Sequence, residues 1–168
     1  MSTRTDLSFY AVIDEELIEG RDPAALASLL AANGASVVQY RAKHLGSRAF
    51  LVRARAIRDA LVGSGVPLVV NDRVDVALLC GAYGVHLGQD DVPAKDARTL
   101  MGPRALIGVS VSTAAEAQKA EEDGADYPGA GAVFPTDTKT DAPVMGPEGL
   151  RGIKAVARVP VVAIGGLN

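Results

Sequence analysis

The stretch "PLVVNDRVDVALLCGAYGVHLGQDD", residues 67–91, contains a complete structural repeat. It opens with a short apolar run, PLVVND, continues through the helical pattern RVDVALLCG, and returns to a second short run, YGVHLG. Short apolar runs rich in β-branched residues are typical of buried parallel strands. The stretch therefore predicts a strand–helix–strand unit with polar residues at the end of each strand.

The same unit recurs along the chain. Strand-like runs are FYAVI (9–13), SVVQYR (36–41), PLVVND (67–72), YGVHLG (83–88), ALIGVS (105–110), YPGAGAVF (127–134) and PVVAIGG (160–166). Helical patterns lie between them, at residues 22–34, 47–65, 73–81, 92–102, 112–124 and 146–158. Strict alternation of strand and helix predicts parallel strands joined by right-handed crossovers.

Two architectures satisfy this alternation, a doubly wound open sheet and a TIM (β/α)₈ barrel. We favour the barrel because polar residues close nearly every strand, and a barrel brings all strand ends to one mouth. These residues are Arg41 and Lys43, Asn71 and Asp72, Gln89 to Asp91, Ser110, Thr136 to Lys139, and Gly165 and Gly166. A full barrel needs more than about 200 residues. We therefore expect one incomplete barrel domain over residues 1–168, with seven βα units visible and the eighth strand and helix missing.

Composition excludes several classes of function. The chain has 168 residues, 48% of them hydrophobic, which indicates a globular protein. A net charge of −3 gives no support for nucleic-acid binding, and no apolar run approaches membrane-spanning length. Zinc is not expected from one cysteine and two histidines. Cys80 is the only cysteine and is predicted to be a buried helical thiol, which favours a reducing, cytoplasmic location.

Six motifs at the predicted strand ends carry a family resemblance. They are VQYRAK (38–43), LVVNDRVDVAL (68–78), GVHLGQDD (84–91), IGVSVST (107–113), GADYPGAGAVFPTDTKTDAP (124–143) and PVVAIGG (160–166). Together, and in this order, they resemble the thiamine-phosphate synthase family. The resemblance implies a (β/α)₈ barrel and a transferase of thiamine biosynthesis. Such an enzyme joins a hydroxymethylpyrimidine pyrophosphate to a hydroxyethylthiazole phosphate, with Mg²⁺, and releases pyrophosphate.

The resemblance implies that Asp72 and Asp91 are the Mg²⁺ ligands. Mg²⁺ is usually held by one or two carboxylates, with phosphate and water filling the remaining positions. We expect the two carboxylates to share one metal ion at one cavity mouth. Because each aspartate precedes a predicted helix, a helix N-cap role stays open for both. Asp90 is expected to cap the helix that opens at Pro93.

The other candidate residues would hold the substrates. Arg41 and Lys43 alternate with Ala42, so they share a face and suit phosphate; a pair of solvated surface cations is the alternative. The resemblance adds Asn71, Ser110 and Lys139 for the pyrophosphate, Gln39 and His86 near the pyrimidine with Tyr10 on the same wall, and Thr136 and Thr138 near the thiazole. For Gly165 and Gly166, close approach to phosphate and a tight strand-to-helix turn are both open.

Some features depart from the family pattern. Pro128 lies within a predicted strand, where proline is costly unless it begins the strand. Tyr40 replaces a smaller aliphatic residue, which we expect to be a mild change. The missing eighth strand would leave the thiazole-phosphate site incomplete and two sheet edges unpaired. The chain is therefore expected either to belong to a longer protein or to form a homo-oligomer.

Two other functions remain open at this point. A thiazole tautomerase paralogue shares the fold but has no need of the full set of cations and carboxylates. A non-catalytic phosphate-binding barrel remnant would retain the basic residues without turnover.

Overall fold

The structure is a computed structural model that describes residues 5–136 and 144–166. Its strands are β1 (Tyr10–Asp14), β2 (Val37–Arg41), β3 (Leu68–Asn71), β4 (Gly84–Leu87), β5 (Leu106–Val111), β6 (Tyr127–Ala130) and β7 (Val162–Ala163). Its helices are α1 (Pro23–Ala32), α2 (Ser47–Ala60), α3 (Val74–Cys80), α4 (Ala94–Met101), α5 (Ala114–Glu122) and α6 (Gly146–Val156). The predicted alternation of strands and helices is thereby confirmed.

The strands follow one another in the sheet in sequence order, from β1 to β7. The pairs β1–β2, β2–β3, β3–β4, β5–β6 and β6–β7 are parallel, as predicted. The chain divides into two compact units. The first comprises Met1–His86 and Leu100–Leu106, and the second comprises Leu87–Thr99 and Ile107–Asn168. The organisation as one domain stays a prediction.

The helix boundaries follow from local chemistry. Asp22 caps α1, since its Oδ1 accepts a hydrogen bond from Ala24 N at 3.0 Å, and Pro23 opens the helix. Thr113 caps α5 in the same way, with its Oγ1 accepting from Glu116 N at 3.2 Å. Cys80 is buried at the end of α3, where burial raises the pKa of its thiol. The prediction of a buried helical thiol is confirmed.

No helix in the part of the chain that the structure describes has both the length and the apolar character needed to cross a bilayer.

Pro128 is the second residue of β6 and pairs with Val109 of β5. It therefore does not begin the strand, which is the position where proline would be tolerated without loss. Because proline has no backbone N–H, β6 lacks a hydrogen-bond donor at this position.

In the first unit, one face of the strands packs against helix α2. Tyr40 is fully buried on this face, and its ring meets that of Phe50 from α2 edge-on at a centroid distance of 5.3 Å. The phenol donates a hydrogen bond to Glu15 Oε2 at 2.6 Å, and Glu15 also forms an ion pair with Arg53 of α2. The departure at Tyr40 is therefore compensated by a polar network that ties the end of β1 to α2.

Replacing Tyr40 with phenylalanine should lower the free energy of unfolding by about 1–2 kcal/mol, because the half-buried Glu15 carboxylate loses a donor. Burial raises the pKa of Tyr40 above its ordinary value of 10, and the bond to Glu15 adds to this shift. The stabilisation that the neutral Tyr40 phenol contributes is therefore fully present below about pH 10, and it declines as the pH rises above that value.

Urea unfolding at pH 8 and above pH 10 measures both effects. The difference in the free energy of unfolding between wild type and Tyr40→Phe should be smaller at the higher pH. The exposed Tyr83 provides the matched control, and Tyr83→Phe should change the free energy of unfolding by less than about 0.5 kcal/mol. Equal stability of Tyr40→Phe and wild type at pH 8 would contradict the role given to this network.

Candidate functional site

The opposite face of the first unit's strands carries polar side chains. The strand register aligns Val12 with Gln39, Gln39 with Val69, and Asn71 with His86. Since side chains alternate along a strand, residues two apart share a face. One face therefore presents Tyr10 and Asp14 from β1, Gln39 and Arg41 from β2, Asn71 from β3 and His86 from β4. We call these six residues the polar face of the first unit.

Four members of the polar face are buried: Asp14, Gln39, Asn71 and His86. The Gln39 Nε2 atom donates a hydrogen bond to Tyr10 Oη at 2.8 Å. The structure thus brings together Tyr10 and Gln39, which were predicted to lie on one wall. It also places Asn71 directly beside His86 on neighbouring strands.

Arg41 ends β2 and forms an ion pair with Asp14, the residue opposite it on β1. Their side chains are 11% and 4% exposed, respectively. The alternative of a solvated surface cation is therefore wrong for Arg41. Asp14 was not predicted as a site residue, although it is the polar residue that follows the first apolar run and meets the same criterion that selected Arg41.

Lys43 and Asp72 lie just beyond the ends of β2 and β3. Lys43 Nζ is 4.0 Å from Asp72 Oδ2, and their side chains are 49% and 25% exposed. Asp72 has a left-handed backbone with φ of 63°, and its N–H donates to His86 O at 2.8 Å. The N-cap position of α3 belongs to Arg73, and no side-chain cap hydrogen bond is formed there. The N-cap interpretation of Asp72 is therefore wrong.

The second unit contains the remaining carboxylate candidates. Asp91 Oδ2 accepts a hydrogen bond from Gly88 N at 2.7 Å, which closes the loop after β4. Asp91 lies three residues before Ala94, the first residue of α4, and its hydrogen bond with Gly88 N turns its side chain back toward the end of β4. Asp90 is exposed, and its capping role stays a prediction. Ser110 lies near the end of β5, and its carbonyl accepts from Gln89 Nε2 at 2.6 Å.

Gly165 and Gly166 follow β7 with φ of 95° and 65°. A Cβ on Gly165 would lie 2.8 Å from Ala132 Cα, and one on Gly166 would lie 2.7 Å from Pro135 O. The turn alone therefore requires glycine at both positions. Thr136 is described and half-buried, whereas Thr138 and Lys139 lie outside the described residues.

Within residues 5–136 and 144–166, no three His, Cys, Asp or Glu side chains are grouped as a self-sufficient metal site. Mg²⁺ does not need such a group, because substrate phosphates commonly supply several of its ligands. The carboxylate oxygens of Asp72 are hard donors on a partly exposed side chain, which suits this mode of binding.

Parallel strands that alternate with helices and carry polar side chains at their carboxyl ends are typical of α/β enzymes of the barrel class. The family model described as thiamine monophosphate synthase matches residues 9–168. The chain belongs to this family.

Relatives and a solved structure agree with this assignment. A thiamine-phosphate synthase from Caldanaerobacter subterraneus subsp. tengcongensis is 45% identical, over 98% of this chain and 77% of its own length. One from Chloroflexus aurantiacus is 48% identical, over 97% of this chain and 76% of its own. The thiamine phosphate pyrophosphorylase from Pyrococcus furiosus superimposes with a TM-score of 0.87 at 38% identity, over 98% of this chain and 78% of that one.

The predicted family and the predicted barrel class are therefore confirmed, together with the prediction of an enzyme of thiamine biosynthesis.

Proposed function

We propose that this chain forms thiamine phosphate from 4-amino-2-methyl-5-hydroxymethylpyrimidine pyrophosphate and hydroxyethylthiazole phosphate. The observation that carries the proposal is the polar face of the first unit, where a largely buried, ion-paired arginine ends a strand beside buried amides. Burying a polar group is costly unless it is hydrogen-bonded, and burying a charge is costly unless it is also paired. A pyrophosphate, with several negative charges and many acceptor oxygens, matches this set of donors.

In this proposal the first unit holds the pyrimidine substrate. Arg41 supplies a planar fork and Lys43 a mobile point charge, and both bind pyrophosphate oxygens. Asn71 donates through its amide to the same group. Gln39 and His86, with Tyr10 hydrogen-bonded to Gln39, line the wall beside the pyrimidine ring.

We assign to residues of the second unit the remaining roles that the family resemblance implies. Ser110 and Lys139 are further donors to the pyrophosphate. Thr136 and Thr138 face the thiazole substrate, and the backbone at Gly166 approaches its phosphate. These roles rest on motif matches, and each is tested by substitution of that residue.

Mg²⁺ is the proposed cofactor, with Asp72 and Asp91 as its carboxylate ligands. A bound magnesium ion would neutralise charge on the pyrophosphate as it departs. The 4.0 Å separation of Lys43 Nζ and Asp72 Oδ2 supports a mixed site in which a cation and a carboxylate serve the same anion. The Asp72 side chain is 25% exposed, so it would be accessible to the metal ion and the substrate.

The proposed reaction breaks the carbon–oxygen bond to pyrophosphate and forms a carbon–nitrogen bond to the thiazole ring. The leaving pyrophosphate takes the bonding electron pair, and the aminopyrimidine stabilises the positive charge left on its methylene carbon. The thiazole nitrogen then attacks this carbon with its lone pair. No protein nucleophile is required, so Arg41, Lys43 and Asn71 act by positioning the leaving group and stabilising its charge.

An omission assay tests the proposal. Pyrophosphate release is measured with both substrates and Mg²⁺, and then with each component left out in turn. We expect release only in the complete mixture, and its loss on adding EDTA with recovery on excess Mg²⁺. A thiazole tautomerase would not release pyrophosphate, and a phosphate-binding remnant would bind it without turnover. Either result would replace the proposal with that alternative.

We also propose a reducing compartment, such as the cytoplasm, as the site of action. The only cysteine of the chain is buried and therefore contributes no disulfide. The expected partners are small phosphorylated substrates, with self-association as a homo-oligomer a further expectation that molar mass in solution would test.

A further inference from the structure

We infer that Asp14 is a positioning residue that holds the Arg41 guanidinium in its pyrophosphate-binding orientation. This inference rests on the proposed function, because it assigns Asp14 to the same site. Asp14 belongs to none of the motifs that carry the family resemblance, and it is identified by its place opposite Arg41 in the register of β1 and β2.

The Asp14 carboxylate is itself fixed by the turn that follows β1. Its Oδ1 accepts a hydrogen bond from Glu16 N at 3.1 Å. Its backbone carbonyl accepts from Leu17 N at 2.9 Å and from Ile18 N at 3.2 Å. With Oδ1 engaged by the turn, Oδ2 is presented to Arg41, and at 4% exposure the carboxylate has little freedom to turn elsewhere.

Arg41 is held at both its backbone and its side chain. Its carbonyl accepts from Glu15 N at 2.8 Å, which ties the end of β2 to β1. Its guanidinium donates to Asp14 through Nη1. A guanidinium has five N–H donors in a rigid fork, so one engaged nitrogen orients the plane and leaves other donors for an anion. Ordering the fork before binding reduces the entropy that binding costs.

The next residue, Glu15, also forms an ion pair with an arginine, but on the other face of the strands. Glu15 pairs with Arg53 and Tyr40 on the helix-covered side of the strands, whereas Asp14 pairs with Arg41 on the polar face. Two adjacent carboxylates thus hold two arginines on opposite sides of the same strand end. Glu15 therefore offers a control, because its ion pair with Arg53 lies on the opposite side of the strands from the polar face.

The test measures calorimetric binding of inorganic pyrophosphate with Mg²⁺, which needs no turnover. Asp14→Asn should raise the dissociation constant of pyrophosphate about tenfold, because a misplaced charged donor loses much of its contact with the anion. Glu15→Gln should lower stability yet leave this constant within about twofold of wild type. In the catalytic assay, the KM for the pyrimidine pyrophosphate should rise for Asp14→Asn while the KM for thiazole phosphate stays within about twofold.

A double-variant cycle separates positioning from an independent effect. If Asp14 acts through Arg41, Asp14→Asn combined with Arg41→Lys should bind pyrophosphate no more weakly than Arg41→Lys alone. Losses that multiply, or normal pyrophosphate binding by folded Asp14→Asn, would overturn the inference. Wild-type protein that binds pyrophosphate but forms no thiamine phosphate would overturn the proposed function and leave the Asp14 comparison valid.

Discussion

Asp72→Asn is expected to reduce turnover by about 100-fold or more while changing the free energy of unfolding by less than about 1 kcal/mol. The substitution keeps the shape of the side chain and removes its charge, so a magnesium–pyrophosphate complex loses a hard anionic ligand. Asparagine is among the residues that best tolerate a left-handed backbone, so the φ of 63° at this position adds little strain. The loss should therefore appear in catalysis and not in folding.

Asp75 provides the control for this substitution. It lies three residues further along, in the first turn of α3, where it pairs with Arg73 and is 57% exposed. Asp75→Asn should leave turnover within about twofold of wild type, since exposed ion pairs contribute little. Steady-state kinetics at several Mg²⁺ concentrations, together with urea unfolding, measure both variants. Near-normal turnover in Asp72→Asn would remove Asp72 from the metal site.

Gly84→Ala is expected to destabilise the protein by at least about 3 kcal/mol or to prevent folding. A Cβ at Gly84 would lie 2.0 Å from the Leu106 carbonyl oxygen and 2.8 Å from Leu106 Cβ. The first of these atoms belongs to the backbone and is not relieved by a rotamer change. Because Gly84 is two residues before His86 on β4, the strand that positions His86 would have to move.

Gly152 in α6 is the matched control for added volume. A Cβ there would meet no atom within 4 Å, so Gly152→Ala should stabilise the helix by about 0.5–1 kcal/mol. Thermal and urea unfolding report both changes. Equal stability of Gly84→Ala and wild type would show that β4 can accommodate a Cβ at position 84, which would contradict the close approach of Leu106.

The sequence predicted the strands and helices well because their signals are local. Apolar runs and glycine stops located all seven strands and six helices of the described residues, and Asp22 correctly marked the start of α1. The runs at 127–134 and 160–166 were predicted too long, since only Tyr127–Ala130 and Val162–Ala163 are regular strands. Their extensions still bond to each other outside the ladder, as in Val133 N to Ile164 O at 3.0 Å.

The contacts between side chains were harder to predict from the sequence. The pairing of Asp14 with Arg41 depends on the register of β1 and β2, which no local pattern specifies. The Tyr40–Glu15–Arg53 network likewise joins three elements that are distant in sequence. The N-cap alternative for Asp72 was excluded only by its backbone conformation. The roles of Thr138 and Lys139 stay predictions, since both lie outside the described residues.

Product identification by mass spectrometry, with pyrophosphate measured in the same reaction, tests the central claim most directly. The purified chain is given both substrates and Mg²⁺, and thiamine phosphate and pyrophosphate are counted over many turnovers. The proposed function predicts that the two products appear together, one molecule of each per turnover, and that both are lost in Asp72→Asn. Pyrophosphate without thiamine phosphate, or neither product from a folded protein that binds both substrates, would contradict it.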